Sequence, residues 1–253
     1  MKYNFLRPKY EVELKRLGSL NDGGYLIPKE AISKTQTLLS FGLGDNWSFE
    51  KSFKENNLKL KIFSFDHTVN RKFWYEYTIL SFFHFLKSFK NFKKIFKFLS
   101  YKIFFNKKNK IFHVKKRIVK KKYYGNETSI DDLSNQFKEK VFIKIDIEND
   151  EYRILESLKN FKKILGFVIE FHYVDLNYRL IKKFLKNNNR FKIVHVHANN
   201  MGGIDVEGKP STLEITFINK NIIKKYKFSK KKEFNKNKFD NPNDPERKDL
   251  ILK

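Results

Sequence analysis

Two glycines, Gly42 and Gly44, close the short apolar run Thr37-Leu-Leu-Ser-Phe41, and an aspartate, Asp66, closes the next run 22 residues beyond Gly44. A glycine pair after a strand lets the backbone pass close to a ligand, because neither residue has a Cβ and both tolerate positive φ. The helix that follows would offer its free N–H groups and the positive end of its dipole, with Asp45 or Asn46 as cap. An acid at the end of the second strand can accept both hydroxyls of a ribose. Together these residues suit a nucleoside cofactor, the part common to dinucleotide and S-adenosylmethionine enzymes. Trp47 stands where a dinucleotide fingerprint has its third glycine, which counts against a dinucleotide.

A second acid group follows the run Val141-Phe-Ile-Lys-Ile. In strand alternation Lys144, Asp146 and Glu148 share one face. Acids at a strand's carboxyl end suit the crevice where open α/β sheets bind ligands. Asp150 and Glu151 also fit a helix start, where carboxylates face the dipole. Asp146 has no such explanation, since it interrupts an apolar strand. Glu170 and His172 share a face at one strand end, and His195 and His197 share another. Should these ends converge on Asp146, imidazole and carboxylate would suit a divalent ion. A local polar rim explains the same residues, and no metal is assigned. His172 is the first choice for a general base on a substrate hydroxyl.

These positions need βα units to hold them. From Thr37 onward apolar runs alternate with helical patterns, the mark of a mostly parallel sheet. Strands are expected at 37–41, 60–66, 141–147, 166–172, 191–197 and 213–218, the last two joined as a closing hairpin. Between them, roughly 70–124, Phe82, Phe85, Leu86, Phe89, Phe96, Leu99 and Ile103 recur at helical spacing among lysines. That segment reads as an inserted basic helical region, packed on the domain or set against a membrane surface through residues 82–103. One domain is expected over 1–223, followed by a basic, Asn- and Pro-containing extension over 224–253 that is weakly ordered.

Composition narrows the classes. With 253 residues the chain can bury a sizeable core, and with no cysteine it has no disulfides, thiolate metal sites or thiol nucleophile. Its formal charge is +26, which invites a nucleic-acid partner. Yet 46 Lys, 25 Asn and 28 Phe against 2 Ala and 5 Pro follow the bias of AT-rich codons, so charge alone selects no partner. The longest nearly uncharged apolar run, Ile79–Leu86, falls far short of the roughly 20 residues of a membrane span. The first residues lack the apolar stretch of a signal peptide, so a cytoplasmic protein is expected.

The runs Lys15–Tyr25, Leu39–Glu50, Phe65-Asp66, Ser129–Leu133 and Ile143–Glu148 resemble the FkbM-type and related methyltransferase-like domains. The similarity spans about 15–218, and it is most specific around Asp22-Gly-Gly and Ser-Phe-Gly-Leu-Gly. It implies a Rossmann-like seven-stranded α/β sheet, mostly parallel with an antiparallel terminal strand, and S-adenosyl-L-methionine as cofactor. It also implies O-methylation of a glycan or small metabolite. Carried over, Gly42 and Gly44 would face the methionine moiety, Asp66 the ribose, and Asp131-Asp132 the adenine end. Asp146 would stand beside the transfer site. From the strand-end residues themselves, His172 is the expected base, and Glu148, Glu170, His195 and His197 are expected to meet the acceptor. These families have glycine where this chain has Asn149, the commonest substitute at positive φ. Two rivals remain, a nucleic-acid methyltransferase and a non-catalytic module of the same fold.

Overall fold

The computed structural model describes residues 3–87, 96–223, 226–229, 234 and 237–252. Its centre is a seven-stranded sheet of β1 (Thr37–Phe41), β2 (Lys61–Phe65), β3 (Ile111–Val114), β4 (Val141–Ile145), β5 (Ile164–Phe171), β6 (Phe191–Ala198) and β7 (Leu213–Asn219). Their spatial order is β6-β7-β5-β4-β1-β2-β3. The pairs β3–β2–β1–β4–β5 are parallel, while β7 runs antiparallel to both β5 and β6. The antiparallel strand is therefore last in sequence but lies inside the sheet.

Strands β1, β4 and β5 are buried along their whole length. A parallel sheet covered on both faces requires this, and it explains why these segments read as continuous rather than alternating apolar runs. One face packs around Phe41, Phe161, Phe167 and Phe217, the other around Phe49, Phe53, Phe142 and Ile62. The helix Ser48–Asn56 after β1 covers the second face with Phe49 and Phe53, four residues apart.

Registry sets the site. Phe41 is level with both Ile145 and Phe65, and Phe65 with Val114. The next residues, Gly42, Asp146 and Asp66, therefore emerge side by side at one carboxyl edge. Each edge is sewn to its neighbour, with Gly42 N donating to Phe65 O at 3.0 Å, Asp146 N to Phe41 O at 3.0 Å and Asp66 N to Val114 O at 3.1 Å. Strand order reverses between β1 and β4, the switch point where open α/β sheets take ligands.

Two expectations change, and a third is narrowed. The segment 70–124 contains β3, a four-residue strand too short to stand out from its Phe- and Lys-rich surroundings. Of the stripe expected either to pack on the domain or to face a membrane surface, Phe82, Phe96, Leu99 and Ile103 are exposed, and the buried contacts belong to Trp74 and Tyr101 against Trp47. The side chains of Phe85, Leu86 and Phe89 lie outside the described residues. Finally, residues 237–252 are tied to the domain. Asn21 Nδ2 donates to Pro242 O at 2.8 Å, Asp22 N to Asn243 O at 3.2 Å, and Asn243 Nδ2 to Glu214 Oε1 at 2.6 Å. Among the described residues no helix is long and apolar enough to cross a membrane.

Candidate active site

Beyond the ends of β1, β2 and β4 lies a cavity of about 670 Å³, within the range of small-molecule and cofactor sites. Gly42, Gly44, Asp45, Asp66, Asp146 and Glu148 line it, with Asp22, His67, Thr68, Lys116, Arg117 and Lys144.

The two glycines serve different ends. Gly42 has φ +79, and a Cβ there would stand 1.6 Å from the backbone oxygen of Asp146. It is glycine so that β1 and β4 can meet. Gly44, at φ +53, has nothing within 4 Å of a Cβ position, so it is the one that leaves the cavity open.

Asp66 adjoins this loop, and both of its carboxylate oxygens are engaged by the protein. One carboxylate oxygen accepts Leu43 N at 2.9 Å and Gly44 N at 3.0 Å. The other accepts Thr68 N at 2.8 Å, Thr68 Oγ1 at 2.6 Å and Val69 N at 3.4 Å. A carboxylate has about four good acceptor positions, so these bonds occupy it. Burial pushes its pKa up, but the bonds from Thr68, Gly44 and Leu43 outweigh that and hold it below the usual range. Asp66 is the clamp that shapes the glycine loop.

Asp146 sits in a buried polar web. Lys144, only 5 % exposed, donates to Gly42 O at 2.8 Å and lies 3.2 Å from Asp146 Oδ2. Burial alone would lower this lysine's pKa, but Asp146 and Glu50 raise it above normal, so it stays charged. Glu50, fully buried on the helix after β1, bonds the Ser40 hydroxyl. The Tyr25 hydroxyl donates to Glu170 Oε2 at 3.2 Å and reaches Asp146 Oδ2 at 3.5 Å. Glu170 faces Glu214 across the β5–β7 pair. Burial, then Asp146 and Glu214, push the Glu170 carboxyl well above the carboxylate range.

The chain leaves its strand at Ile145, so Glu148 is not on the strand face with Lys144. Glu148 and Asn149 both adopt positive φ, +51 and +80, and Asn149 thus takes the conformation expected of it. His172 lies behind Asp146, its Nδ1 3.1 Å from Glu151 Oε1. Burial lowers the His172 pKa, and the bond to Glu151 with the charges of Glu151 and Asp146 more than reverses this, so the ring is more basic than a free imidazole.

Two pairs fall elsewhere. His195 Nε2 is 2.9 Å from Asp240 Oδ1 and His197 Nδ1 is 3.1 Å from Glu214 Oε2, so both imidazoles face the C-terminal segment and its neighbours. Asp131 and Asp132 begin the helix Ile130–Gln136, where Asp132 and Ser129 form a reciprocal capping box. Neither aspartate lines the cavity. Sequence reasoning overlooked Tyr25 and Glu50 as part of the site, and named Glu151 among the strand-end acids without its histidine partner. Lys144 carried a signal, a lysine inside an apolar strand, that only its partners make sense of.

No family model matches the chain, and no curated protein matches it in sequence. Solved structures similar to it include the Methanococcus jannaschii fibrillarin pre-rRNA processing protein, at 13 % identity and TM-score 0.38, over 75 % of this chain and 68 % of that one. Aeropyrum pernix fibrillarin, solved with natively bound S-adenosyl-L-methionine, gives 9 % identity and TM-score 0.37 over 74 % of this chain and 68 % of its own. TYW2 of M. jannaschii, solved with AdoMet, gives 12 % and 0.34, over 76 % and 73 %.

Proposed function

We propose that the chain is an S-adenosylmethionine-dependent methyltransferase of the FkbM type, transferring a methyl group to a hydroxyl of a glycan or small metabolite. The observation that carries this reading is the cavity at the switch point, bounded by the Gly42–Asp45 loop and by Asp146. Its lining holds six carboxylates (Asp22, Asp45, Asp66, Asp146, Glu148 and Asp150) against three cations (Lys116, Arg117 and Lys144). In a chain of formal charge +26, this inversion suits a cationic occupant. When bound, the cofactor supplies a methyl group made electrophilic by a positively charged sulfur.

The fit follows from the donor set. Gly44 gives room, Asp22 and Asp146 offer carboxylates to an ammonium group, and Lys116 and Arg117 add donors to the lining. The protein's part is to place the acceptor oxygen in line with the methyl carbon, about 3 Å away, and to receive the hydroxyl proton near Asp146 and His172. A polyanionic acceptor is disfavoured by the same excess of acid, so RNA is the less favoured substrate. Exposed Leu80, Phe82, Phe83, Leu99 and Ile103 among lysines add the chemistry of a peripheral contact with an anionic membrane.

Calorimetry with S-adenosylmethionine is the first test. Saturable binding is expected, and Gly44→Leu should weaken it at least tenfold by filling the opening. No binding by the wild-type chain removes the enzyme reading and leaves the non-catalytic module. A labelled-methyl assay on polysaccharide, small-molecule, lipid and RNA fractions then tests the acceptor, and label confined to RNA overturns the hydroxyl-metabolite class.

A further inference from the structure

Asp146, Glu148 and His172 come from two separate strand ends, yet one ligand atom from each lies within 4.8 Å of the others. His172 Nε2 is 3.6 Å from Glu148 Oε2 and 3.6 Å from Glu170 Oε1. These gaps are too long for hydrogen bonds. The gap between His172 and Glu148 is close to the roughly 3.4 Å edge between neighbouring ligands when each sits about 2.1 Å from a tetrahedral ion, and the ligand atoms of Asp146, Glu148 and His172 span no more than 4.8 Å.

The opposite side of the ring supplies an independent observation. His172 Nδ1 meets Glu151 Oε1 at 3.1 Å, and Glu151 is completely buried. A carboxylate behind the second nitrogen is how metal-ligating histidines are oriented, because it fixes the tautomer and turns the other nitrogen outward. The same Glu151 oxygen accepts Ile147 N at 3.1 Å and Asn149 N at 3.2 Å. One buried carboxylate thus positions both the imidazole and the loop carrying Asp146 and Glu148. Among the described residues, Lys144 and Tyr25 both approach Asp146 at Oδ2, which leaves Oδ1 for a ligand.

We propose that Asp146, Glu148 and His172 form a binding site for a divalent cation, with Glu151 as its positioning residue. One imidazole and two carboxylates suit borderline ions such as Mn²⁺, Fe²⁺ or Zn²⁺, and the chain has no thiolate to draw softer ones. Three protein ligands leave coordination positions open. Asp146 and Glu148 line the cavity, so an ion here stands at its wall. On the methyltransferase reading, and resting on it for this step alone, a hydroxyl bound to the ion would lose its proton to solvent water more easily, with His172 a ligand and not the proton acceptor.

The test is titration of the full chain with Mn²⁺ followed by electron paramagnetic resonance, with Zn²⁺ competing. One saturable Mn²⁺ site per chain is expected. Affinity should fall at least tenfold in Asp146→Asn, His172→Gln and Glu148→Gln, and by 10- to 100-fold in Glu151→Gln. Glu148 is 87 % exposed, so Glu148→Gln reports on the site even if a buried variant fails to fold. Absence of a saturable site, or affinity unchanged in Glu148→Gln, overturns the proposal. S-adenosylmethionine calorimetry on the same samples separates the two readings. Cofactor binding without Mn²⁺ binding removes the ion alone, and the reverse removes the methyltransferase while leaving the ion.

Discussion

Gly42 and Gly44 look equivalent in sequence, and the structure makes them very unequal. In Gly42→Ala the new Cβ would stand 1.6 Å from Asp146 O, about half an ordinary contact distance, against backbone that cannot rotate away. Relief requires β1 and β4 to part at their carboxyl ends, which breaks the 3.0 Å bond from Asp146 N to Phe41 O and the 2.8 Å bond from Lys144 Nζ to Gly42 O. Placing alanine at positive φ costs about 1–2 kcal/mol, and each buried polar group left unpaired adds about 1–3 kcal/mol. With one unpaired group for each of the two broken bonds the sum is about 3–8 kcal/mol, a large share of a typical domain's stability. In Gly44→Ala only the backbone cost of about 1–2 kcal/mol applies. Urea unfolding followed through buried Trp47 and Trp74 measures both. With a slope of about 3 kcal/mol/M, Gly42→Ala should lower the midpoint by about 1–2.7 M and Gly44→Ala by about 0.3–0.7 M. Equal shifts, or a larger one at Gly44, would refute the assignment of Gly42 to strand closure and Gly44 to the opening.

Asp66→Asn keeps the shape but sets an amide against backbone donors, so about 2–4 kcal/mol of stability should be lost in the same urea assay. Because the folded pKa of Asp66 is depressed, its contribution is present above the unfolded value near 3.9 and disappears as pH falls through the folded one. Acid unfolding of Asp66→Asn should accordingly be shallower than that of wild type. At the C-terminal segment, burial lowers the His197 pKa but Glu214 raises it further, and the His195 bond holds Asp240 low against burial. The His197 contribution is complete below about pH 6.5 and is lost as pH rises through the higher folded value, while that of Asp240 is complete above about pH 4 and is lost on acidification. Melting temperature should therefore peak between these limits, and His197→Gln should flatten the alkaline side. An unchanged alkaline slope in that variant would rule out the pairing.

What the sequence made legible is what local pattern encodes. Thr37–Phe41 and Val141–Ile145 stand out because a strand buried on both faces must be apolar throughout, and Gly42, Asp66 and Asp146 stand out because they end such runs. Their meeting at one edge was expected from the fold class, though no local signal contains the register that makes it so. Partnerships across the sheet left no trace. Tyr25 reaches Glu170 over 145 positions, and Asn243 reaches Glu214 from a Lys- and Asn-rich tail whose composition suggested disorder. Asp131 and Asp132 carried a contrary signal, since Ser129 followed three residues later by an acid marks a helix start.

The same lack of locality explains how a chain of formal charge +26 comes to hold an acidic centre. Lysines are spread over surfaces where each side chain keeps its charge in water, whereas sheet registry gathers the acids. Glu170 and Glu214 are level on adjacent strands, and Asp146 is joined to Glu170 through the Tyr25 hydroxyl. Lys144 neutralises only part of this charge, and the Glu170 carboxyl is pushed well above the carboxylate range. Desolvated carboxylates this close repel one another, which costs stability in the empty protein and is offset when a cation binds. A cationic ligand should then stabilise the fold through mass action, by about 2.7 kcal/mol at one hundred times its dissociation constant. An anionic ligand has no comparable repulsion to relieve, so the sign of the charge that raises the melting temperature discriminates between a cation-binding centre and a surface built for phosphate.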